Sequence, residues 1–192
     1  MNSFGMTDTI KNLISQKSNA VIAIDGCCAS GKTTLAEKIA EEIGAQIIHA
    51  DDFFLPPEMR SAERLALPGG NIHYERFADE VINGINCGKI FEYRIFSCKT
   101  GGYNGTESVD PSKPIIVEGA YCLRPEFADA YDLKIFLTVD SETQLKRILK
   151  RNGKDALEIF KSKWIPLENR YFEHFNIADK CDMVIKNDEV SL

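Results

Sequence analysis

The sequence is short of positive charge, and that shortage narrows its partners first. Twenty-nine Asp and Glu face 23 Lys and Arg, a formal net charge of −6. Nucleic-acid coats and binders of anionic membranes draw affinity from a basic excess, so neither nucleic acid nor a membrane surface is expected as a partner. A local basic site for one phosphate remains compatible with that balance. Cysteine pairs are also missing: Cys27, Cys28, Cys87, Cys98, Cys122 and Cys181 include no C-x-x-C. Zinc-ligand spacing is therefore absent, and a chain of 192 residues has core enough to fold without disulfides. The thiols are expected to be reduced and the protein cytoplasmic. Met1 to Asn19 lacks the apolar segment of a secretion signal. No run approaches the roughly 18 apolar residues of a membrane span. Repeats, linkers and low-complexity tracts are missing too. What is there, 44% hydrophobic and 27% charged with 11 Phe and 6 Tyr, is the composition of one globular domain over residues 1–192.

Two element types alternate along it. Short Val- and Ile-rich runs at Val21–Ile24, Gln46–His49, Pro114–Val117, Leu133–Val139 and Met183–Ile185 predict strands buried on both faces of a parallel sheet. Thr34–Ile43 spaces Leu35, Ile39 and Ile43 four apart and stops at Gly44, a helix with a glycine C-cap. Ser141–Lys150 opens on a Ser-x-x-Gln capping pattern and sets Leu145, Ile148 and Leu149 on one face. Trp164–Tyr171 predicts a helix with Pro166 embedded. Its Trp164, Leu167, Tyr171 and Phe172 suit either the core or a second subunit, so a homo-oligomer stays open. Strands alternating with helices give an α/β fold: a five-stranded parallel sheet between two helical layers. The alternation breaks at about residues 86–112, where Phe91–Phe96 and the turn Gly101–Gly105 predict an inserted hairpin or lid.

Residues 26–33, Gly-Cys-Cys-Ala-Ser-Gly-Lys-Thr, match G-x-x-x-x-G-K-[ST] between a predicted strand and a predicted helix. Gly26 and Gly31 let the backbone curl so that the N–H groups of Cys27, Ala29, Ser30 and their neighbours point at phosphate oxygens. The helix N-terminus, through Thr34, adds partial positive charge there. Lys32 is placed to neutralise the β- and γ-phosphates and the Thr33 hydroxyl to hold Mg²⁺. ATP and Mg²⁺ are the expected cofactors. Cys27 and Cys28 lie near the positive helix end, which lowers a thiol pKa. They read either as small residues filling variable positions or as a thiol switch that peroxide would close reversibly.

Two carboxylates follow the next strands. Asp51 and Asp52 end the second, where a base could take the proton of a substrate hydroxyl during phosphoryl transfer. Glu118 directly follows the third apolar run, where a Mg²⁺-water ligand is expected. With GCCASGKTT at 26–34, DDFF at 51–54, VEGAY at 117–121 and LKRILKR at 145–151, the chain resembles the uridine kinase-like P-loop kinases, which include nicotinamide riboside, pantothenate and phosphoribulo-kinases. The resemblance spans about residues 20–187 and extends to bacterial proteins with stretches similar to DDFFLPP, PGGN-x-x-YERF, TGGY and WIPLENRYFE. It implies that Asp51 is the catalytic base and that Glu118 lies near Mg²⁺ and substrate. Tyr93 would face the acceptor base, and Arg147 and Arg151 would grip the ATP phosphates, sharing that role with a solvated helix face.

Departures accompany the likeness. His73 stands where uridine kinases keep an Asp for ribose hydroxyls, and Cys98 stands near the position of a family His. A neutral imidazole is the weaker diol acceptor. The segment around Asn152-Gly153-Lys154 is short and holds a single basic residue, which implies an abbreviated lid. A GTPase switch is excluded by the missing Asn-Lys-x-Asp and Asp-x-x-Gly. Two functions stay open: a kinase for a hydroxyl on a small molecule, a nucleoside or related riboside, and an ATP-binding regulator that kept the fold without the acceptor site.

Overall fold

The computed structural model describes residues 3–188; the stretch Lys186–Leu192, which the sequence places after the last strand as a candidate border for an adenine, lies partly outside them. Helix α1 (Ser3–Gln16) precedes strand β1 (Val21–Gly26), helix α2 (Lys32–Ile43) and strand β2 (Gln46–His49). A 3₁₀ turn, Ala50–Phe53, leads to the short helices α3 (Ala62–Ala66), α4 (Tyr74–Phe77) and α5 (Asn83–Cys87). Strands β3 (Phe91–Ser97), β4 (Gly102–Val109), β5 (Ile115–Glu118) and β6 (Leu133–Thr138) follow. Helices α6 (Ser141–Ile159) and α7 (Ile165–Phe175) and strand β7 (Met183–Lys186) complete the chain.

The five predicted core strands all form, in the order β2-β5-β1-β6-β7, every pairing parallel. Alternation along β1 explains why it must be covered twice. Val21 and Ala23 enter a core with Ile48, Phe53, Phe77 and Tyr171, while Ile22 and Ile24 enter one with Ile10, Ile39 and Ile135. Full burial of each Ile is worth about 1.5–3 kcal/mol. The strand order reverses direction at β1, so the crevice beyond the carboxyl ends of β1 and β5 is where this architecture receives a ligand.

The segment between β2 and β5 contains the expected hairpin: β3 and β4 pair antiparallel, with an irregularity between Arg94 and Phe96. Its inner face carries the buried Tyr93 and Phe96, and Glu92 and Arg94 point outward.

Two helix boundaries differ from the sequence expectation. The N-cap of α6 is Asp140, which accepts from the Thr143 N–H (2.9 Å), so the Ser141 capping pattern is not used. A carboxylate in the extended residue ahead of the first turn outcompetes a hydroxyl already inside it. Beyond Lys150, α6 continues through a kink at Gly153 (φ +83°) and joins α7 by a wide π-helical turn, Phe160–Trp164. The Gly153 region is therefore a bend between helical arms rather than a loop. Pro166 sits at the second position of α7, directly after the π-helical turn, whose wider winding accommodates a residue that has no N–H to donate.

Candidate active site

The phosphate loop is shaped by close approach and left-handed backbone. Gly26 has φ +143°, and a Cβ there would lie 1.9 Å from the Leu137 carbonyl oxygen. That same oxygen accepts the Cys27 N–H (3.1 Å), which pins the loop to β6. Ala29 (φ +59°) and Gly31 (φ +96°) then turn the chain so that successive amides curl inward. No side chain caps the first turn of α2, leaving its N–H groups to a ligand. Lys32 Nζ folds onto the Gly26 and Cys27 carbonyls (2.8 and 3.0 Å). Ser30 Oγ is buried with no hydrogen-bond partner, and the Ser30 carbonyl accepts from Asn187 Nδ2 (2.7 Å). Arg147 on α6 donates to the Ala29 carbonyl (3.2 Å). Uncapped amides, an orphaned hydroxyl and a lysine spent on carbonyls form a cradle that fits a polyphosphate.

Glu118 closes the other side of that cradle. Its Oε1 accepts from Thr33 Oγ1 (3.1 Å) and pairs with His49 Nδ1 (2.6 Å), while the residue itself is buried. Hydrogen bonding to Glu118 raises the His49 pKa above its ordinary value. Asp51 is open on the cleft floor, yet protein surrounds it closely enough that desolvation raises its carboxyl pKa, with Lys32 opposing and Glu118 reinforcing. No cluster of three or more His, Cys, Asp or Glu among the described residues could cage a metal. The Thr33 hydroxyl and Glu118 carboxylate nevertheless supply oxygen donors at the mouth of the phosphate cradle. This set fits Mg²⁺, which takes few protein oxygens and completes its shell with phosphate and water.

Asp25 joins the walls of the cleft. Fully buried at the end of β1, it accepts from the N–H groups of Gly26 (2.6 Å), Tyr121 (3.2 Å) and Leu123 (3.0 Å), and from Tyr171 OH (2.8 Å). The phosphate loop, the loop after β5 and α7 thus meet on one carboxylate, whose pKa desolvation raises. Tyr121 is held at φ +76°, a costly conformation for a bulky residue. Three residues before Tyr171 on α7, Glu168 accepts the Cys28 N–H (2.8 Å) inside the phosphate loop. Its pKa is raised by desolvation. Asp25, His49 and Glu168 were missed in the sequence. An Asp in an apolar strand just before the loop glycine was the available signal for the first; no spacing signals Glu168.

These walls enclose a cavity of about 580 Å³. Ala29, Gly31, Lys32, Thr33 and Thr34 line it, as do Asp51, Glu118, Arg147 and Arg151. Gly26, Cys27 and Ser30 support the loop from behind. The expected acceptor contacts lie elsewhere. His73 caps α4, with Nδ1 accepting the Arg76 N–H (3.3 Å) near Glu75, and its own N–H is bonded to the Phe53 carbonyl (2.7 Å). Tyr93 is buried against the Phe53 ring (5.5 Å between centroids) and faces the core. The aromatic walls of the cavity are instead Phe54, Phe160, Trp164 and Tyr121. Tyr171 is wholly buried and Phe172 packs on Phe136 (5.0 Å), so these α7 residues serve this chain's own core. The helix end does not activate the loop thiols: desolvation pushes the Cys27 and Cys28 pKa values up, and Glu168 adds to both shifts.

No family model matches the chain. It is 34% identical over 137 residues to the tRNA-specific adenosine deaminase subunit tad2 of Schizosaccharomyces pombe, covering 67% of this chain and spanning only 32% of that protein. The C-x-x-C that zinc-dependent base deaminases use is absent from these 192 residues. A uridine kinase of Limosilactobacillus reuteri is 26% identical over 155 residues, covering 74% of this chain and 67% of that protein. Among solved structures, a candidate uridine kinase from Bacillus stearothermophilus superposes with a TM-score of 0.69 at 18% identity, over 96% of this chain and 100% of that one. That likeness establishes the fold, with its phosphate loop after the first core strand. With the motifs and the kinase relative, it makes the chain similar in sequence and fold to the uridine kinase-like P-loop kinases.

Proposed function

We propose that this chain is an ATP- and Mg²⁺-dependent small-molecule kinase that transfers the γ-phosphoryl to a hydroxyl, in the class of nucleosides and related ribosides. The observation that carries this reading is Asp51 opening into the same cavity as Lys32 and Thr33. A carboxylate with a raised pKa is a stronger base than an ordinary one, and here it stands across from the phosphate cradle. The loop amides and Lys32 hold the triphosphate, with Arg147 and Arg151 bordering it. Thr33 and Glu118 would hold Mg²⁺ directly or through water, and the ion would supply neutralising charge. Asp51 orients the acceptor hydroxyl and takes its proton while the hydroxyl oxygen bonds to phosphorus and the bond to the ADP oxygen breaks. The walls from Phe54, Phe160 and Trp164 exclude water that would otherwise hydrolyse the nucleotide.

The test is ADP release with Mg·ATP against nucleosides, other ribosides, pantothenate and sugar phosphates. Stimulation by one acceptor well above basal hydrolysis is expected. Slow basal hydrolysis unaltered by the whole panel would overturn the kinase reading in favour of an ATP-binding regulator.

A further inference from the structure

The cavity has an opposite charge balance from the chain. Five cations line it, Lys32, Arg60, Arg147, Arg151 and Lys163, against the carboxylates Asp51, Glu118 and Glu168. Lys32 and Arg147 are engaged with the phosphate loop. Arg60 and Lys163 are not. Arg60 follows the Asp51–Leu55 segment, anchors itself by Nε to the Leu55 carbonyl (2.7 Å), and lines the cavity with Cys98. Because Leu55 lies four residues after Asp51 and both Asp51 and Arg60 line the cavity, the guanidinium belongs to the base's end of it. Lys163 lies over the Trp164 ring (4.5 Å), and that ring meets Phe54 (6.4 Å between centroids). Neither cation has an ion-pair partner among the described residues. Asn71, on the same cavity, leaves its buried Nδ2 donor unpaired.

We propose that the acceptor end is an anion site: the molecule phosphorylated carries a carboxylate or phosphate besides its reacting hydroxyl, and Arg60, assisted by Lys163, anchors it. The inference rests on the kinase reading and specifies its substrate. Physical necessity supports it. An acceptor anion approaching Asp51 and a triphosphate meets repulsion from both, so only an acceptor end with its own cations can admit one. Arg60, with Nε tied down, keeps its terminal nitrogens in a fixed fork suited to an oxyanion. The apolar walls of Leu65, Phe54, Phe160 and Trp164 lower the local dielectric and strengthen any pair formed beside them. Nucleoside recognition has less support at this end, because His73 and Tyr93 do not line it.

The experiment titrates the full chain, saturated with Mg·ADP so that the phosphate loop is filled, with two pairs of probes. Pantothenate and pantothenyl alcohol differ by a carboxylate. Uridine 3′-monophosphate and uridine differ by a phosphate. Each pair keeps the same acceptor hydroxyl, and calorimetry reads affinity without turnover. At least one anionic probe is expected to bind tenfold or more tighter than its neutral partner, and which pair does so identifies carboxylate or phosphate. Arg60→Gln should erase most of that preference and Lys163→Gln a smaller part, both with unchanged ADP affinity, which also reports folding. Equal or absent binding of both members of both pairs overturns the proposal, as does a preference that survives Arg60→Gln. A preference without ADP release from ATP removes the kinase reading and leaves the anion site. Transfer to a neutral acceptor with a KM unmoved by Arg60→Gln does the reverse.

Discussion

The two ends of the cleft are built in opposite ways. The phosphate end is built around one unbroken run, Gly26 to Thr34, whose shape follows from two glycines and the start of a helix, with Glu118, Arg147 and Arg151 added at its margin. The acceptor end is assembled from the Asp51–Arg60 segment, Asn71, Cys98, Tyr121 and the Phe160–Glu168 turn. A contiguous loop tolerates little change but is rigid through its own backbone. An assembled wall depends on contacts between elements, and it can change ligand without disturbing the fold. The chemistry of this protein is therefore expected to fail differently at the two ends.

The largest expected contrast is between Lys32→Ala and Asp51→Asn. Both should lower phosphoryl transfer, Asp51→Asn by roughly 10²–10⁴-fold, the usual worth of a positioned general base. Only Lys32→Ala should also weaken ATP binding, as calorimetry would show. Transfer at the parental rate by Asp51→Asn would remove Asp51 from the mechanism and leave the acceptor end without a base.

Next in size is a comparison of glycines. Gly26→Ala drives a methyl into the Leu137 carbonyl at a positive φ, so at least about 3 kcal/mol of stability should be lost. Gly101 also has positive φ (+71°), but nothing lies within 4 Å of an added Cβ. Gly101→Ala, in the hairpin turn, should cost only about 1 kcal/mol for the left-handed backbone. Urea unfolding of the two variants tests this; equal losses would mean that the Leu137 contact relaxes freely.

The difference between the ends also explains what could be read in the sequence. All five core strands and the phosphate loop were legible, because period, glycine placement and loop motif are local. Asp51 and Glu118 were legible as carboxylates at strand ends. Tyr93 and His73 do not line the cavity: the β3–β4 hairpin turns Tyr93 inward onto Phe53, and His73 caps a helix. Side-chain direction in an insertion depends on packing that no local pattern encodes. Glu168 lies 140 residues from the Cys28 amide it meets, a contact set by how α7 docks on Asp25 through Tyr171.

Glu168 is where the two ends touch, and its substitution sharpens the comparison at moderate size. A carboxylate on the Cys28 amide puts negative charge where a polyphosphate is to bind. Glu168→Gln keeps an oxygen acceptor for that amide and removes the charge, so ATP is expected to bind roughly three- to tenfold tighter. The sign with pH follows. Glu168 has a raised pKa, so protonation at lower pH discharges it, and nucleotide affinity should rise as pH falls toward that value from above. The variant should lose this component, and comparing it with the parent at each pH cancels the titration of ATP itself. Weaker binding by Glu168→Gln would show that the charge shapes the loop rather than opposing its ligand.

The smallest expected effect concerns the helix that carries Arg147 and Arg151 to the phosphate end. Asp140 accepts the Thr143 N–H, and that bond holds its carboxyl well below the ordinary 3.8, at about 2. A depressed carboxylate pKa contributes stability that is complete above the unfolded value and is lost as pH falls through the folded one. Asp140→Ala should therefore lower Tm by on the order of a few degrees at neutral pH, and the gap from the parent should close as pH falls from about 4 toward about 2. Ser141→Ala, at the residue whose pattern suggested a cap, should leave Tm nearly unchanged. Asp140 also receives nothing from the ligand, so the loss should persist undiminished when ADP is bound. If ADP instead restores the lost stability beyond its effect on the parent, the start of α6 is part of the phosphate site and the boundary between the two ends lies further along the chain than the cleft geometry places it.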